Sequence, residues 1–154
     1  MVLKRAFPKL IRRPHRSGHH REEYIMDAYT THGAFSWTEL MTSDPASAVS
    51  FYSALFGWTT EAMHMPQGDY HVVKAAGTAV GGIMQMPREA GGMPPTWGCY
   101  VTVDNVDACA EKVVALGGKV LHPPTDIPTV GRFAVIADPQ GAWLNIMTYA
   151  APAS

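Results

Sequence analysis

Phe35, Trp37, Glu39 and Met41 fall at alternate positions of FSWTELM, so in a strand they share one face. Glu39 is then a carboxylate among aromatic and apolar neighbours, which is costly unless the group is paired or used. Three uses fit: a general base for catalysis, an anchor for a cationic ligand, or a metal ligand. The plain alternative is that Arg132 or a backbone amide pairs with it. A second anomaly lies in IADPQGAWLNIM, residues 136 to 147. Asp138, Pro139, Gln140 and Gly141 read as a tight turn between two apolar strands, which places Trp143, Asn145 and Met147 on one face. An amide between tryptophan and methionine needs a reason.

Other side chains able to do chemistry are scattered. His71 in DYHVVK, His122 before PPTD, and Gln85 are possible metal ligands, although a lone strand histidine is more often a hydrogen-bonded structural residue. Arg132 follows Gly131 at a strand start, where a sheet-edge ion pair is its ordinary role. Trp37, Trp97 and Trp143 on one face would form an aromatic enclosure for a planar or cationic organic ligand, with Tyr100 as a polar rim. Cys99 and Cys109 form neither a CxxC pair nor a disulfide framework and read as reduced core thiols of a cytoplasmic protein. The glycine pairs sit at helix stops or in a linker, so no phosphate-cradling loop is present, and no Ser-His-Asp arrangement is readable.

The elements that must position these residues repeat. Residues 35–58, FSWTELMTSDPASAVSFYSALFGW, lie over residues 95–118, PTWGCYVTVDNVDACAEKVVALGG, at a constant offset of 60. Trp37 then meets Trp97, Asp44 meets Asp104, Ala48 meets Ala108 and Gly57 meets Gly117. Each copy reads strand, cap, helix, glycine stop. In the first helix Ala48, Phe51, Tyr52 and Leu55 mark the expected buried stripe; in the second Asp104 caps and Val106, Ala110, Val113 and Val114 form it. Three short strands follow each helix, near 58–64, 69–75 and 78–85 and near 119–122, 132–137 and 142–149. PREAGGMPP separates the halves, giving modules of about 34–86 and 96–150 with a linker at 87–95.

A chain of 154 residues, 47% hydrophobic, can build one core. No apolar run is long enough to span a bilayer, and a soluble protein is expected. The net charge of −1 conceals an asymmetry: seven Lys and Arg against two Glu give residues 1–25 a charge of +5, leaving −6 for the rest. Residues 1–33 read as a basic, disordered extension whose His15, His19 and His20 are solvated, and residues 34–150 as the folded domain.

SDPASAVSFYSALFGW, VTVDNVDACAEKVVALGG and GRFAVIADPQGAWLNIM together resemble the vicinal oxygen chelate superfamily of glyoxalases, bleomycin resistance proteins and extradiol dioxygenases. The resemblance implies an α+β fold: two βαβββ modules whose strands form a curved mixed sheet, a cup with one helix outside each module. It also implies one metal ligand on the first and one on the last strand of each module. Those positions fall on Trp37, the stretch from Gly82 to Met84, Gly98 and Asn145. Such side chains are poor ligands for zinc, nickel or iron. The expectation is a small-molecule binder without metal, its ligand touching Trp37, Glu39, Trp97, Tyr100, Arg132, Trp143 and Asn145. The alternative is a metal-dependent lyase, isomerase or oxygenase with a non-standard site around Glu39, His71, His122 or Gln85. A homodimer is expected to cover exposed strand edges, with neither membrane nor nucleic acid as partner.

Overall fold

The structure is a computed structural model that describes residues 26–66 and 68–151. The elements in order are β1 (Phe35–Thr42), α1 (Pro45–Phe56), β2 (Thr59–Met65), β3 (Gly68–Ala75), β4 (Thr78–Gln85), β5 (Thr96–Thr102), α2 (Val106–Ala115), β6 (Lys119–Ile127), β7 (Gly131–Ala137) and β8 (Trp143–Tyr149). One turn of 3-10 helix, Arg88–Ala90, lies between β4 and β5. This is the βαβββ pattern twice.

Local chemistry sets the helix ends. The Asp44 carboxylate accepts from the Ser47 amide, Pro45 opens α1, and Gly57 closes it in the left-handed conformation at φ 68°. In α2 the cap is Asn105, which accepts from the Ala108 amide at 2.9 Å, rather than Asp104 as the sequence pattern had it. The Asp104 amide instead donates to His32 Nδ1 at 3.1 Å.

The eight strands form one mixed sheet in the order β2-β3-β4-β1-β5-β8-β7-β6. The modules meet where β1 runs antiparallel to β5, and each module's last strand lies parallel to its first, β4 beside β1 and β8 beside β5. Both helices lie on the outer face. Leu40, Val73 and Ile83 pack there with Ala48, Val49 and Tyr52 of α1. Val103, Ala134 and Ile146 pack there with Val106 and Cys109 of α2. The inner face carries its own cluster, with Trp37, Met63, Val72, Tyr100 and Met147 buried together.

Two expectations change. The buried stripe of α1 is Ala48, Val49 and Tyr52, whereas Phe51 and Leu55 stand in solvent. The reading of residues 1–33 as one disordered extension does not hold for Asp27–Gly33; residues 1–25 lie outside the described residues. The Gly33 amide donates to the Thr102 carbonyl, Thr102 Oγ1 donates to the Ala28 carbonyl, and Tyr29 packs edge-on against Tyr149 at 5.1 Å. Apolar contact and backbone hydrogen bonds thus hold this short segment on β5 and β8 despite the polar sequence around it.

Candidate functional site

The strand register defines the inner face at the junction of the modules. Glu39 lies opposite Gly82 on one side and Gly98 on the other; Trp37 lies opposite Tyr100, and Tyr100 opposite Asn145. The pair Thr38 and Cys99 marks the centre of the antiparallel junction. A local twofold through it relates Trp37 to Gly98 and Glu39 to Tyr100. The last-strand neighbours of that second pair are Gly82 and Asn145. The corners at which the resemblance places metal ligands are therefore Trp37, Gly82, Gly98 and Asn145.

Aromatic rings fill two of these corners. A β-carbon at Gly82 would overlap the Tyr70 ring and hydroxyl. One at Gly98 would lie 3.0 Å from Trp143 Cη2 and 3.2 Å from Asn145 Nδ2. Each glycine is thus the floor on which a ring from a neighbouring strand lies. Asn145 is buried and donates from Nδ2 to the Cys99 carbonyl at 3.2 Å. Its amide is spent on β5.

Glu39 holds the centre. Tyr70 Oη donates to Oε2 at 2.8 Å, Tyr100 Oη donates to Oε1 at 3.0 Å, and Trp37 Nε1 donates to Tyr70 Oη at 2.9 Å. Burial pushes the Glu39 carboxyl above its ordinary range, and the two phenol hydrogen bonds oppose that shift. Burial, and then the Glu39 charge, hold both Tyr70 and Tyr100 well above the ordinary phenol range, so both remain neutral donors. Neither Arg132 nor a backbone amide supplies the compensation considered from sequence; the phenols do. Beside this network Tyr149 Oη and Ser36 Oγ are 2.8 Å apart, and burial raises the Tyr149 phenol to about 12.

The structure brings Trp37, Glu39, Tyr100, Trp143 and Asn145 to this one face, and leaves two expected members outside it. Trp97 precedes Gly98, so alternation turns it to the outer face, where its Nε1 donates to Tyr52 Oη at 3.1 Å. Arg132 precedes inner-face Phe133 and also points outward, clamping Asp107 at 2.7 and 3.0 Å and Asp126 at 3.0 Å. Its ordinary role as an ion-pair residue is the one it fills. Tyr70 was missed by sequence reasoning. Its signal was its alternation with Val72, the residue opposite Gly82, which puts the Tyr70 ring on the same face as that glycine.

The residues of the alternative metal site do not converge. His71 pairs with outer-face Ile83, His122 is exposed and stacked on Phe133 at 5.1 Å, and Gln85 is exposed at the end of β4. Among the described residues no three His, Cys, Asp or Glu side chains come together in a way that could hold a metal ion. At the four corners the side chains are an indole, two hydrogens and an amide already engaged. This donor set does not fit the divalent metal that the fold family implies.

The glyoxalase/bleomycin resistance protein/dioxygenase superfamily model matches residues 34–146. CFP32 of Mycobacterium tuberculosis, a protein named as a glyoxylase, is 45% identical over 116 residues, which are 75% of this chain and 44% of that protein. The anthracycline biosynthesis protein DnrV of Streptomyces peucetius is 35% identical over 123 residues, 71% of this chain and 45% of that one. The chain thus spans less than half the length of these curated relatives. Among solved structures, methylmalonyl-CoA epimerase from Mycobacterium tuberculosis superposes with a TM-score of 0.59 at 14% identity, covering 83% of this chain and 95% of that one. The hypothetical protein BH1468 from Bacillus halodurans superposes with a TM-score of 0.61 at 10% identity, covering 78% and 96%. At such identities these structures speak for the fold alone. The two modules, their junction and the match of the family model agree, and the chain belongs to the glyoxalase/bleomycin resistance protein/dioxygenase superfamily.

Proposed function

We propose that the inner face binds a small organic molecule without a divalent metal, between Trp37, Tyr100 and Trp143 and over the Glu39 carboxyl. The observation that carries this reading is the filling of two inherited ligand corners by Tyr70 over Gly82 and Trp143 over Gly98. Rings there offer flat apolar surface, and Glu39 and the Tyr100 oxygen offer acceptors. The complementary ligand is planar and carries a hydrogen-bond donor or a positive charge. One relative, DnrV, is named for anthracycline biosynthesis, and anthracyclines are planar, which supports this reading. Arg132 and Trp97, on the outer face, take no part.

Two measurements test the proposal. Elemental analysis of protein purified without an affinity tag should find well under one zinc, nickel, iron or manganese per chain. About one equivalent, lost in Glu39→Ala, would restore the metal-dependent reading. Fluorescence titration with daunorubicin, a planar amine-bearing anthracycline, should saturate. Trp143→Ala should weaken it by about 1–3 kcal/mol, roughly 5- to 150-fold, if the ring is buried against the ligand. Arg132→Ala should change it less than about twofold. Equal losses in the two variants, or no saturable binding, would overturn the assignment to this face.

A further inference from the structure

The two phenols that hold Glu39 are not equivalent, and the difference bears on the charge of the ligand. An indole N–H can only donate, and Trp37 Nε1 donates to Tyr70 Oη at 2.9 Å. That bond keeps the Tyr70 hydrogen on Glu39 Oε2 and fills the acceptor side of the Tyr70 oxygen. Tyr100 Oη donates to Oε1 at 3.0 Å in the same manner, yet among the described residues nothing donates to Tyr100 Oη in return. Tyr100 is only 7% exposed. Its oxygen is therefore a sheltered acceptor lying directly beside a carboxylate oxygen.

Glu39 also lacks a counter-charge. The groups arranged around it are Tyr70 from β3, Gly82 from β4, Gly98 and Tyr100 from β5, and Asn145 and Tyr149 from β8. None of them can carry a positive charge. Among the described residues no Lys, Arg or His forms an ion pair with Glu39; Arg132 is held by Asp107 and Asp126, and Lys74 by Glu61. Two phenols satisfy the hydrogen-bonding capacity of the carboxylate but leave its charge uncompensated, and burial makes such a charge costly. Glu39 still keeps part of its surface open, so a ligand can reach it.

We infer that the inner face is an ammonium site, in which Glu39 Oε1 and Tyr100 Oη together receive a protonated primary or secondary amine of the ligand. The inference rests on the proposed binding of a planar molecule to this face, and narrows it from any donor-bearing ligand to a cation. One N–H of the ammonium meets the carboxylate oxygen and a second meets the phenol oxygen, which the protein holds 3.0 Å apart. A neutral amide brings one N–H and no charge, and a quaternary amine brings charge without an N–H. Tyr70, its oxygen already occupied by Trp37, is a positioning residue that holds the carboxylate and leaves the ligand to Tyr100.

Fluorescence titration with two probes tests this assignment. Daunorubicin carries a sugar amine that is protonated at neutral pH; N-acetyldaunorubicin keeps the rings and one N–H but has no charge. The wild type should bind the amine at least about tenfold more tightly, the gain of a charge-assisted hydrogen bond over a neutral one. Glu39→Gln should bring the two probes within about twofold of each other, and Tyr100→Phe should cut the preference at least about threefold. Tyr70→Phe should weaken both probes by a similar factor and retain the preference. Urea unfolding first establishes that each variant is folded; should Glu39→Gln fail to fold, the contrast between the two tyrosine variants decides. Equal wild-type affinities for the two probes, each weakened by Trp143→Ala, would overturn the ammonium site and leave the proposed binding face standing. A preference that survives Glu39→Gln, or that Tyr70→Phe abolishes and Tyr100→Phe spares, would overturn it as well. If neither probe saturates, both readings fall.

Discussion

Gly82→Ala adds one methyl group to the inner wall, and its cost follows from what lies above it. The new carbon would overlap the Tyr70 ring and hydroxyl, so the ring must lift or β4 must move. Lifting the ring breaks two hydrogen bonds. The Trp37 to Tyr70 bond joins neutral groups and contributes about 1 kcal/mol; the Tyr70 to Glu39 bond, to a carboxylate, contributes about 1.5–3 kcal/mol. The expected loss is therefore about 2.5–4 kcal/mol, or very roughly a 10 °C fall in Tm for a chain of this size. Urea denaturation measures it directly. Tyr70→Ala alone should cost about 3 kcal/mol or more, but Gly82→Ala adds little once the ring is gone. The double variant should fall short of the sum by at least about 1.5 kcal/mol. Gly98→Ala is the control: its neighbours are side-chain atoms at 3.0–3.2 Å, which can yield by tenths of an ångström, so its cost should be smaller. A Gly82→Ala protein within about 1 kcal/mol of the wild type, or strict additivity with Tyr70→Ala, would refute the packing argument.

Two further outcomes follow from the same network and its flank. Because burial raises the Glu39 carboxyl in the folded protein, its favourable contribution is complete below the unfolded pKa of about 4.3 and is lost as pH rises through the higher folded value. The stability of Glu39→Gln relative to the wild type should therefore increase from pH 4 to pH 8; a difference that is flat or declines across that range contradicts the sign. Tyr29→Ala removes the ring that packs on Tyr149 and should lower stability by about 1.5–3 kcal/mol, less than a fully buried aromatic. A change below about 0.5 kcal/mol in chemical denaturation would mean that Asp27–Gly33 contributes nothing to the fold.

The repeat and both helices were legible because each leaves a periodic or capping signal in the chain. Face assignment was harder, since in a strand a one-residue error exchanges the two faces. Aligning the halves at an offset of 60 superimposed Trp37 on Trp97, but the register pairs Thr38 with Cys99 and relates Trp37 to Gly98. The two indoles consequently lie on opposite faces. The same parity separates Arg132 from Phe133. In α1 apolar residues surround the whole helix, so periodicity could not choose the buried stripe, and small Ala48 with Val49 face the sheet while Phe51 does not. Tyr70 was hidden for another reason: its partner Glu39 is 31 residues away and its floor is a glycine, which carries no chemistry of its own to notice.

The ring seated on Gly82 also ties two positions of the chain together. Any larger side chain at that corner meets Tyr70 first, so Tyr70 must shrink before or together with the change. Shrinking it alone strips a donor from Glu39 and a partner from Trp37. Each single step crosses a less stable protein, so the two positions can change only as a pair.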